Sequence, residues 1–276
     1  MSEKPPSKRN WSDLGSRIAS AIVLGGICFS MIVIGVGTTE AIVALGCGIM
    51  GWEWRRISGS GRENIWADAA AVGVAALPAV LTYVFDPLIG SLAAFIGIAV
   101  VGTLASDKRL YFTRTAPGLV AIAFAGVAFV WLRTDFIYGL HIALWLPLTV
   151  IAADVGAYFS GRFIGGPKLA PRISPNKTIS GAVGGQIASI VVGTAYAAFF
   201  GIGSIAIIAL VSFVTAVVSQ LGDLAESAAK RHYGVKDSSA LIPGHGGLLD
   251  RFDGLIPAIL VMALATMIAG STIFAW

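Results

Sequence analysis

Between Asp223 and Gly254 the chain reads DLAESAAKRHYGVKDSSALIPGHGGLLDRFDG, and this stretch holds five of its fifteen acids, four of its nineteen basic residues and two of its three histidines. A helix running from Ser204 through Arg231 puts Asp223, Ser227, Lys230 and Arg231 at i, i+4, i+7 and i+8, on one face. A carboxylate, a hydroxyl and two cations then point the same way. Downstream, Gly244, Gly246 and Gly247 precede Asp250 and Asp253, three residues apart. Glycine-rich backbone can bring amide donors against a phosphate, whereas carboxylates bind Mg²⁺ rather than phosphate itself. The combination predicts a metal-nucleotide site. His245 stands beside these glycines with no His/Cys spacing of the zinc type anywhere in the chain.

Two features upstream join this island. The segment SGRFIGGPKLAPRISPNKTIS, residues 160–180, carries three prolines, four cations and repeated glycines, the composition of a shaped loop able to approach an anion. Just before it, Asp154 lies within the apolar run PLTVIAADVGAYF. A carboxylate at that depth is costly and points to function, the competing reading being a structural pair with a cation such as Arg162.

The elements that must position these groups are apolar. Of 276 residues, 56% are hydrophobic and only 12% charged, with a mean hydropathy of +0.83. A soluble domain would carry about a quarter charged residues, so the composition predicts a membrane protein. The net charge of +4 does not indicate a nucleic-acid partner, because the basic residues are spread between apolar runs and form no single basic arm. Cys28 and Cys47 both fall inside apolar segments, where they read as small buried hydrophobes.

After a polar segment, residues 1–17, the run from Ile18 to Gly37 exceeds the about 7–15 residues of a signal-peptide core. It reads as a first span. Runs approaching the roughly 17–25 residues that cross a bilayer recur, and we place spans at 18–37, 39–52, 66–85, 88–105, 117–132, 139–159, 181–200, 202–222 and 255–275. The expected fold is therefore an all-α polytopic membrane protein of about nine helices. Residues 18–132 form the N-terminal helices, and 133–276 a catalytic region with cytoplasmic loops at 160–180 and 223–254.

Basic residues support that count. Eighteen of nineteen precede the first span or follow spans two, four, six and eight, leaving Arg133 alone on the other side. Such a bias orients the chain with its N-terminus and the polar island in the cytoplasm and its C-terminus outside.

At the residues of the island a resemblance emerges. The string Ser227-x2-Lys230-Arg231-x4-Lys236-Asp237-x5-Pro243-Gly244-His245-Gly246-Gly247-x2-Asp250-Arg251-x-Asp253 resembles the signature of the phosphatidate cytidylyltransferases, the CDP-diacylglycerol synthases. Upstream, Asp154-x-Gly156-Ala157-Tyr158-x2-Gly161-Arg162 and Leu169-Ala170-Pro171-x-Ile173-Ser174-Pro175-x-Lys177-Thr178 are similar to the same family. The likeness covers about 154–254. Three positions depart from it: Ser180 stands where the family usually has Glu, Ala229 replaces a larger aliphatic residue, and Gly254 occupies a position where Ser is frequent.

The resemblance implies transfer of CMP from CTP to phosphatidate, giving CDP-diacylglycerol and pyrophosphate, with Mg²⁺ required, in the cell (inner) membrane. It also implies a homodimer and allows a monovalent cation beside the Mg²⁺. Attack by a lipid phosphate on the α-phosphorus of CTP calls for positioning and charge neutralisation more than for a protein nucleophile. On that basis Asp223 and Asp250 are assigned to the metal, with Asp253 and Asp154 as further candidates. Lys177, Lys230, Arg231, Lys236 and Arg251 are assigned to phosphate charge, with Ser174, Ser227, Gly244, His245, Gly246 and Gly247 lining the substrate. A transporter using Asp154 and Asp223 leaves the glycine loop and the clustered cations unexplained. A CDP-alcohol phosphotransferase would need an Asp-x2-Asp-Gly-x2-Ala-Arg pattern that the sequence lacks.

Overall fold

The computed structural model describes Gly26 and residues 34–35, 37–59, 64–242 and 246–276. Most of the span expected at 18–37 lies outside these residues, as do Gly244 and His245. Eight helices organise the remainder: α1 (Thr38–Ser58), α2 (Ile65–Val84), α3 (Pro87–Leu104), α4 (Ala116–Arg133), α5 (Gly139–Phe163), α6 (Ile179–Phe200), α7 (Ile205–His232) and α8 (Leu255–Ala269).

Local chemistry sets their ends. The Asn64 side chain accepts hydrogen bonds from the Trp66 and Ala67 amides at the start of α2, Asp86 accepts from Ile89 ahead of Pro87 in α3, and Thr178 accepts from Gly181 to open α6. Gly201, at φ +66°, closes α6 in the left-handed conformation that glycine adopts without strain.

Among the described residues six helical segments are long and apolar enough to cross a bilayer: α2, α3, α5, α6, α7 and Lys108–Arg133, in which a short helix and a π turn lead into α4. Large apolar side chains face outward along them, as Leu92, Phe95 and Ile96 do on α3 and Val183, Ile187 and Val191 on α6. An exposed apolar surface with its backbone satisfied inside each helix is the surface lipid requires, and the chain is a helical membrane protein. The expected second span, 39–52, belongs to α1, which continues to Ser58 and carries Glu40, Glu53, Arg55 and Arg56. The expected last span, 255–275, is the fifteen-residue α8 followed by a short 3₁₀ turn, Ile273–Ala275.

Helices α1, α2, α3 and α4 pack together, α5, α6 and α7 form a second group, and α8 rests on α4, α5 and α7. The best-enclosed core follows α4 and α5, where Leu119, Ile122, Leu132, Ile142, Trp145 and Leu146 are buried. Within the second group small residues let backbones approach: a side chain at Gly185 would come within 2.6 Å of the Ala153 carbonyl and 2.8 Å of Gln220 Nε2. The Gln220 amide also donates to the Ala182 carbonyl at 3.0 Å. Helices α5, α6 and α7 therefore meet tightly beside Asp154 and Asp223.

The polar connections gather at one end of the bundle. Trp54 of α1 donates to the Thr115 carbonyl before α4 and meets the Tyr233 ring edge-on beyond α7, while Lys177 from the 160–180 loop pairs with Asp223. The C-terminus lies with the α6–α7 turn, where the Ser204 amide donates to the Trp276 carbonyl at 3.2 Å.

That 160–180 loop, expected as irregular, contains a two-stranded antiparallel hairpin, β1 (Lys168–Ala170) and β2 (Ser174–Thr178), with an irregular register. Pro171 and Pro175 lack amide donors and suit the turn and edge of a hairpin rather than a helix.

Candidate active site

Helix α7 supplies the spine of the site. Its 28 residues, at about 1.5 Å each, rise roughly 42 Å, so the last turns extend beyond a hydrocarbon core about 30 Å thick. As the spacing predicts, Ser227 and Asp223 share a face, with Ser227 Oγ donating to Asp223 Oδ1 at 3.3 Å. The other Asp223 oxygen pairs with Lys177 at the end of β2. The hairpin is thus held to α7 by a cation and a carboxylate, both assigned to the site from sequence.

Lys230 lies one turn beyond Ser227 and is almost enclosed. Its ammonium sits 2.5 Å from Glu226 Oε2 and 2.6 Å from Asp250 Oδ1. Asp250 comes from a one-turn helix, Leu249–Phe252, that follows the glycine-rich segment. Its Oδ2 accepts from the Ser238 amide at 2.9 Å, the Ser238 hydroxyl at 3.0 Å and the Gly247 amide at 2.8 Å. Burial alone would push the Asp250 carboxyl up, but the hydrogen bonds from Lys230 and from the Gly247 and Ser238 amides outweigh it and bring the carboxyl down to about 2. Asp250 is an anion at neutral pH.

Glycine is required where this loop tightens. Gly246 has φ +82°, and a side chain there would lie 2.5 Å from Asp250 Oδ2. The partner of Asp250 is accordingly Lys230, while the partner of Asp223 is Lys177. Asp154, Asp223 and Asp253 bear on one another in charge, and Asp253 acts on Glu226 as well. Gly222 makes this possible, because any side chain there would meet the Asp253 carbonyl at 2.6 Å and the Pro257 ring at 2.5 Å. The chain after the one-turn helix therefore lies directly against α7. Burial, then the negative charge of Asp223, with that of Asp154 adding, pushes the Asp253 carboxyl up to about 7. Among the described residues no three His, Cys, Asp or Glu side chains converge closely enough to hold a metal as they stand.

The remaining residues named from sequence are less enclosed. Arg231 Nη1 reaches back to the Val235 carbonyl at 3.4 Å and helps finish α7. Lys236 and Arg251 are exposed, and the charge of Arg251 acts on Asp154. Ser174 opens β2 opposite Ala170.

Two departures from the family pattern gain a physical reason. Gly254 packs so closely on α7 that a side chain would come within 2.4 Å of Ser219 Oγ. Ser180 Oγ donates to the Gly165 carbonyl and lies 3.1 Å from Thr178 Oγ1, tying the hairpin to the end of α5. Because that hydroxyl is spent on loop structure, Ser180→Ala should lose less than about tenfold in kcat/KM. A loss beyond about a hundredfold, roughly 2.7 kcal/mol of transition-state stabilisation, would instead give the hydroxyl a catalytic role.

Two acids escaped the sequence reading. Glu226 lay inside the polar island but was not singled out, although it sits at i−4 to Lys230. Glu53 lay far outside, in GWEWRR at the end of α1, and is completely buried. Its signal is weaker than that of Asp154, which lies within an apolar run: Glu53 only borders one, and the arginines that follow it mark an ordinary helix end.

A helical membrane protein that collects buried lysine–carboxylate pairs and a glycine-rich loop at one end of its bundle has the class features of a membrane enzyme handling phosphorylated substrates. Residues 15–269 match the cytidylyltransferase family, and the chain belongs to that family. The phosphatidate cytidylyltransferase of Brucella suis is 38% identical over 262 residues, covering 92% of this chain and 93% of that protein. Its namesake in Staphylococcus saprophyticus is 41% identical over 176 residues, 63% of this chain and 68% of the relative, and that of Staphylococcus haemolyticus 42% identical over 167 residues, 60% and 64%.

Proposed function

We propose that the chain transfers the cytidylyl group of CTP to phosphatidate, releasing pyrophosphate and leaving CDP-diacylglycerol in the bilayer. The observation that carries this reading is the enclosed Lys230 ammonium, fixed between Glu226 and Asp250 beside a glycine-rich loop at the end of a membrane helix. An ammonium so placed can neutralise phosphate charge without reorganising, and kinship with phosphatidate cytidylyltransferases supports the substrates.

In the reaction a phosphate oxygen of phosphatidate forms a bond to the α-phosphorus of CTP, and the bond from that phosphorus to the bridging oxygen of the β-phosphate breaks. A phosphomonoester whose second pKa is about 6 is mostly dianionic at neutral pH, so no protein base is needed. Lys177, paired with Asp223, and Lys230 supply positive charge along the same face of α7, and the exposed Arg231, Lys236 and Arg251 add further cations. The Gly246 amide is suited to a phosphate oxygen, whereas that of Gly247 serves Asp250.

The donor chemistry fits Mg²⁺. Asp253 is pushed up to about 7 by burial and by neighbouring carboxylates, and hard oxygen donors under mutual repulsion favour a small divalent cation. Asp223, Asp253 and Asp154 would hold it once drawn closer than they stand and with Asp223 released from Lys177; Asp250, whose oxygens already serve Lys230, Ser238 and Gly247, would likewise join them only by exchanging a partner. Bound Mg²⁺ would offset charge on the departing pyrophosphate.

For topology we keep nine spans, counting 18–37, α1 and α8 with the six long segments, in the cell membrane, with the site facing the cytoplasm and the C-terminus outside. The basic asymmetry supports this, as does the position of Trp276 beside the α6–α7 turn, at the far end of α7 from Lys230. A reporter fused after Trp276 should report the outer side and one inserted near Ser238 the cytoplasm. Both on one side would refute the count.

The function itself is tested with purified protein and labelled CTP. Turnover should need both phosphatidate and Mg²⁺, and should yield pyrophosphate. Ion flux without nucleotide turnover, or release of CMP, would overturn it.

A further inference from the structure

The residue that secures the glycine-rich loop comes from the other half of the molecule. Glu53, near the end of α1, has no exposed surface. Its Oε1 accepts from the Ser239 hydroxyl at 2.6 Å and the Leu248 amide at 2.9 Å, and its Oε2 from the Leu249 amide at 2.7 Å. A carboxylate removed from water is tolerated only when its lone pairs are met, and bonds to an ionised acceptor are about twice as strong as neutral ones. Three donors converge on Glu53, two of them backbone amides with no other use in the one-turn helix that follows.

Their position in the chain matters more than their number. Ser239 and Leu248 stand next to Ser238 and Gly247, the two residues whose amides hold Asp250 Oδ2. Asp250 in turn holds Lys230. The closeness is built in, since a side chain at Gly247 would meet Glu53 Oε1 at 2.5 Å and Ser238 Oγ at 1.9 Å. Glu53 thus pins Ser239 on one side and Leu248 and Leu249 on the other, and their neighbours Ser238 and Gly247 orient the carboxylate that fixes the enclosed lysine.

We propose that Glu53 is a positioning residue for the cytidylyl transfer, acting through the glycine-rich loop on Asp250 and Lys230; the proposal rests on the reaction stated above. Glutamine at this position has the same shape but only one acceptor oxygen. Whichever way its amide turns, an NH₂ faces either Leu249 or the Ser239–Leu248 pair, and at least one buried donor loses its acceptor. The loop then loosens while α1 stays packed.

The test uses the full-length protein in lipid nanodiscs, as wild type, Glu53→Gln, Ser239→Ala and the double variant. Thermal unfolding, amide exchange along 246–250 and separate KM values for CTP and phosphatidate are measured. Glu53→Gln should speed exchange in 246–250 with α5–α7 unchanged. It should cut kcat/KM for CTP by about tenfold or more and leave KM for phosphatidate within about twofold. Ser239→Ala should move the same quantities less, and the double variant should match Glu53→Gln, because both changes release one clamp.

Unchanged loop exchange and CTP kinetics in Glu53→Gln would overturn the proposal, as would a loss that tracks only the folded fraction with both KM values intact. If Glu53→Gln does not fold, Ser239→Ala decides: a shift in CTP kinetics supports the clamp and no shift overturns it. Wild-type protein that fails to turn over CTP and phosphatidate would defeat the reaction, yet the exchange data on Glu53→Gln would still decide the clamp.

Discussion

Replacing Lys230 by methionine should abolish turnover and also lower the unfolding temperature, and the two losses should be separable. The ammonium lies within 2.6 Å of both Glu226 and Asp250, whose side chains are each 8% exposed. Removing it leaves two nearly buried carboxylates facing each other without a counterion, the kind of change that costs about 3–5 kcal/mol. Adding Glu226→Gln to Lys230→Met removes the repulsion, so the double variant should regain most of the lost unfolding temperature. It should remain inactive by about a thousandfold or more, because the cation that meets substrate phosphate is still missing. Recovery of activity together with stability would mean that Lys230 is only a structural counterion.

Asp223→Asn should lose nearly all turnover, about a thousandfold, while the protein still inserts and folds. The tight contact of α7 at Gly222 with the Asp253 carbonyl and the Pro257 ring does not depend on the Asp223 charge, and Asp223 is about a third exposed, so the fold should tolerate the amide. What changes is the charge shared with Asp253 and Asp154 and the pairing with Lys177. Asp253→Asn should behave alike, and because these groups act as a unit the Asp223→Asn/Asp253→Asn variant should be little worse than the poorer single one. Each should demand more Mg²⁺ for half-maximal rate. Two partial losses that multiply, with unchanged Mg²⁺ dependence, would refute a shared metal site.

Long apolar runs bounded by caps were legible to within a few residues. The expected 66–85 and 88–105 became 65–84 and 87–104, where Asn64, Asp86 and Pro87 mark the starts. The continuation of α7 past the membrane was readable because its polar face keeps helical spacing to Lys230. The hairpin in 160–180 was not, since three prolines and four cations describe a loop without saying which residues pair. α1 was placed too short because Glu53, Arg55 and Arg56 read as a helix already leaving the bilayer.

For the site, the identity of the charged groups was legible and their partnerships were not. Chemistry and spacing singled out Asp223, Lys230 and Asp250, but pairing of Asp250 with Lys230 rather than with Asp223 depends on how the loop folds over α7. Glu53 meets that loop across 195 residues of chain, a separation over which no local pattern carries information.

The central claim is nucleotidyl transfer at the α-phosphorus, and the most direct test follows two labels through one turnover experiment. Wild-type protein in phosphatidate-containing nanodiscs is given CTP labelled at the α-phosphate or, in parallel, at the γ-phosphate. Transfer to phosphatidate predicts α-label in the lipid fraction as CDP-diacylglycerol and γ-label in pyrophosphate, in equal amounts and only when phosphatidate is present. Release of α-label as CMP, or of γ-label as orthophosphate, would contradict it.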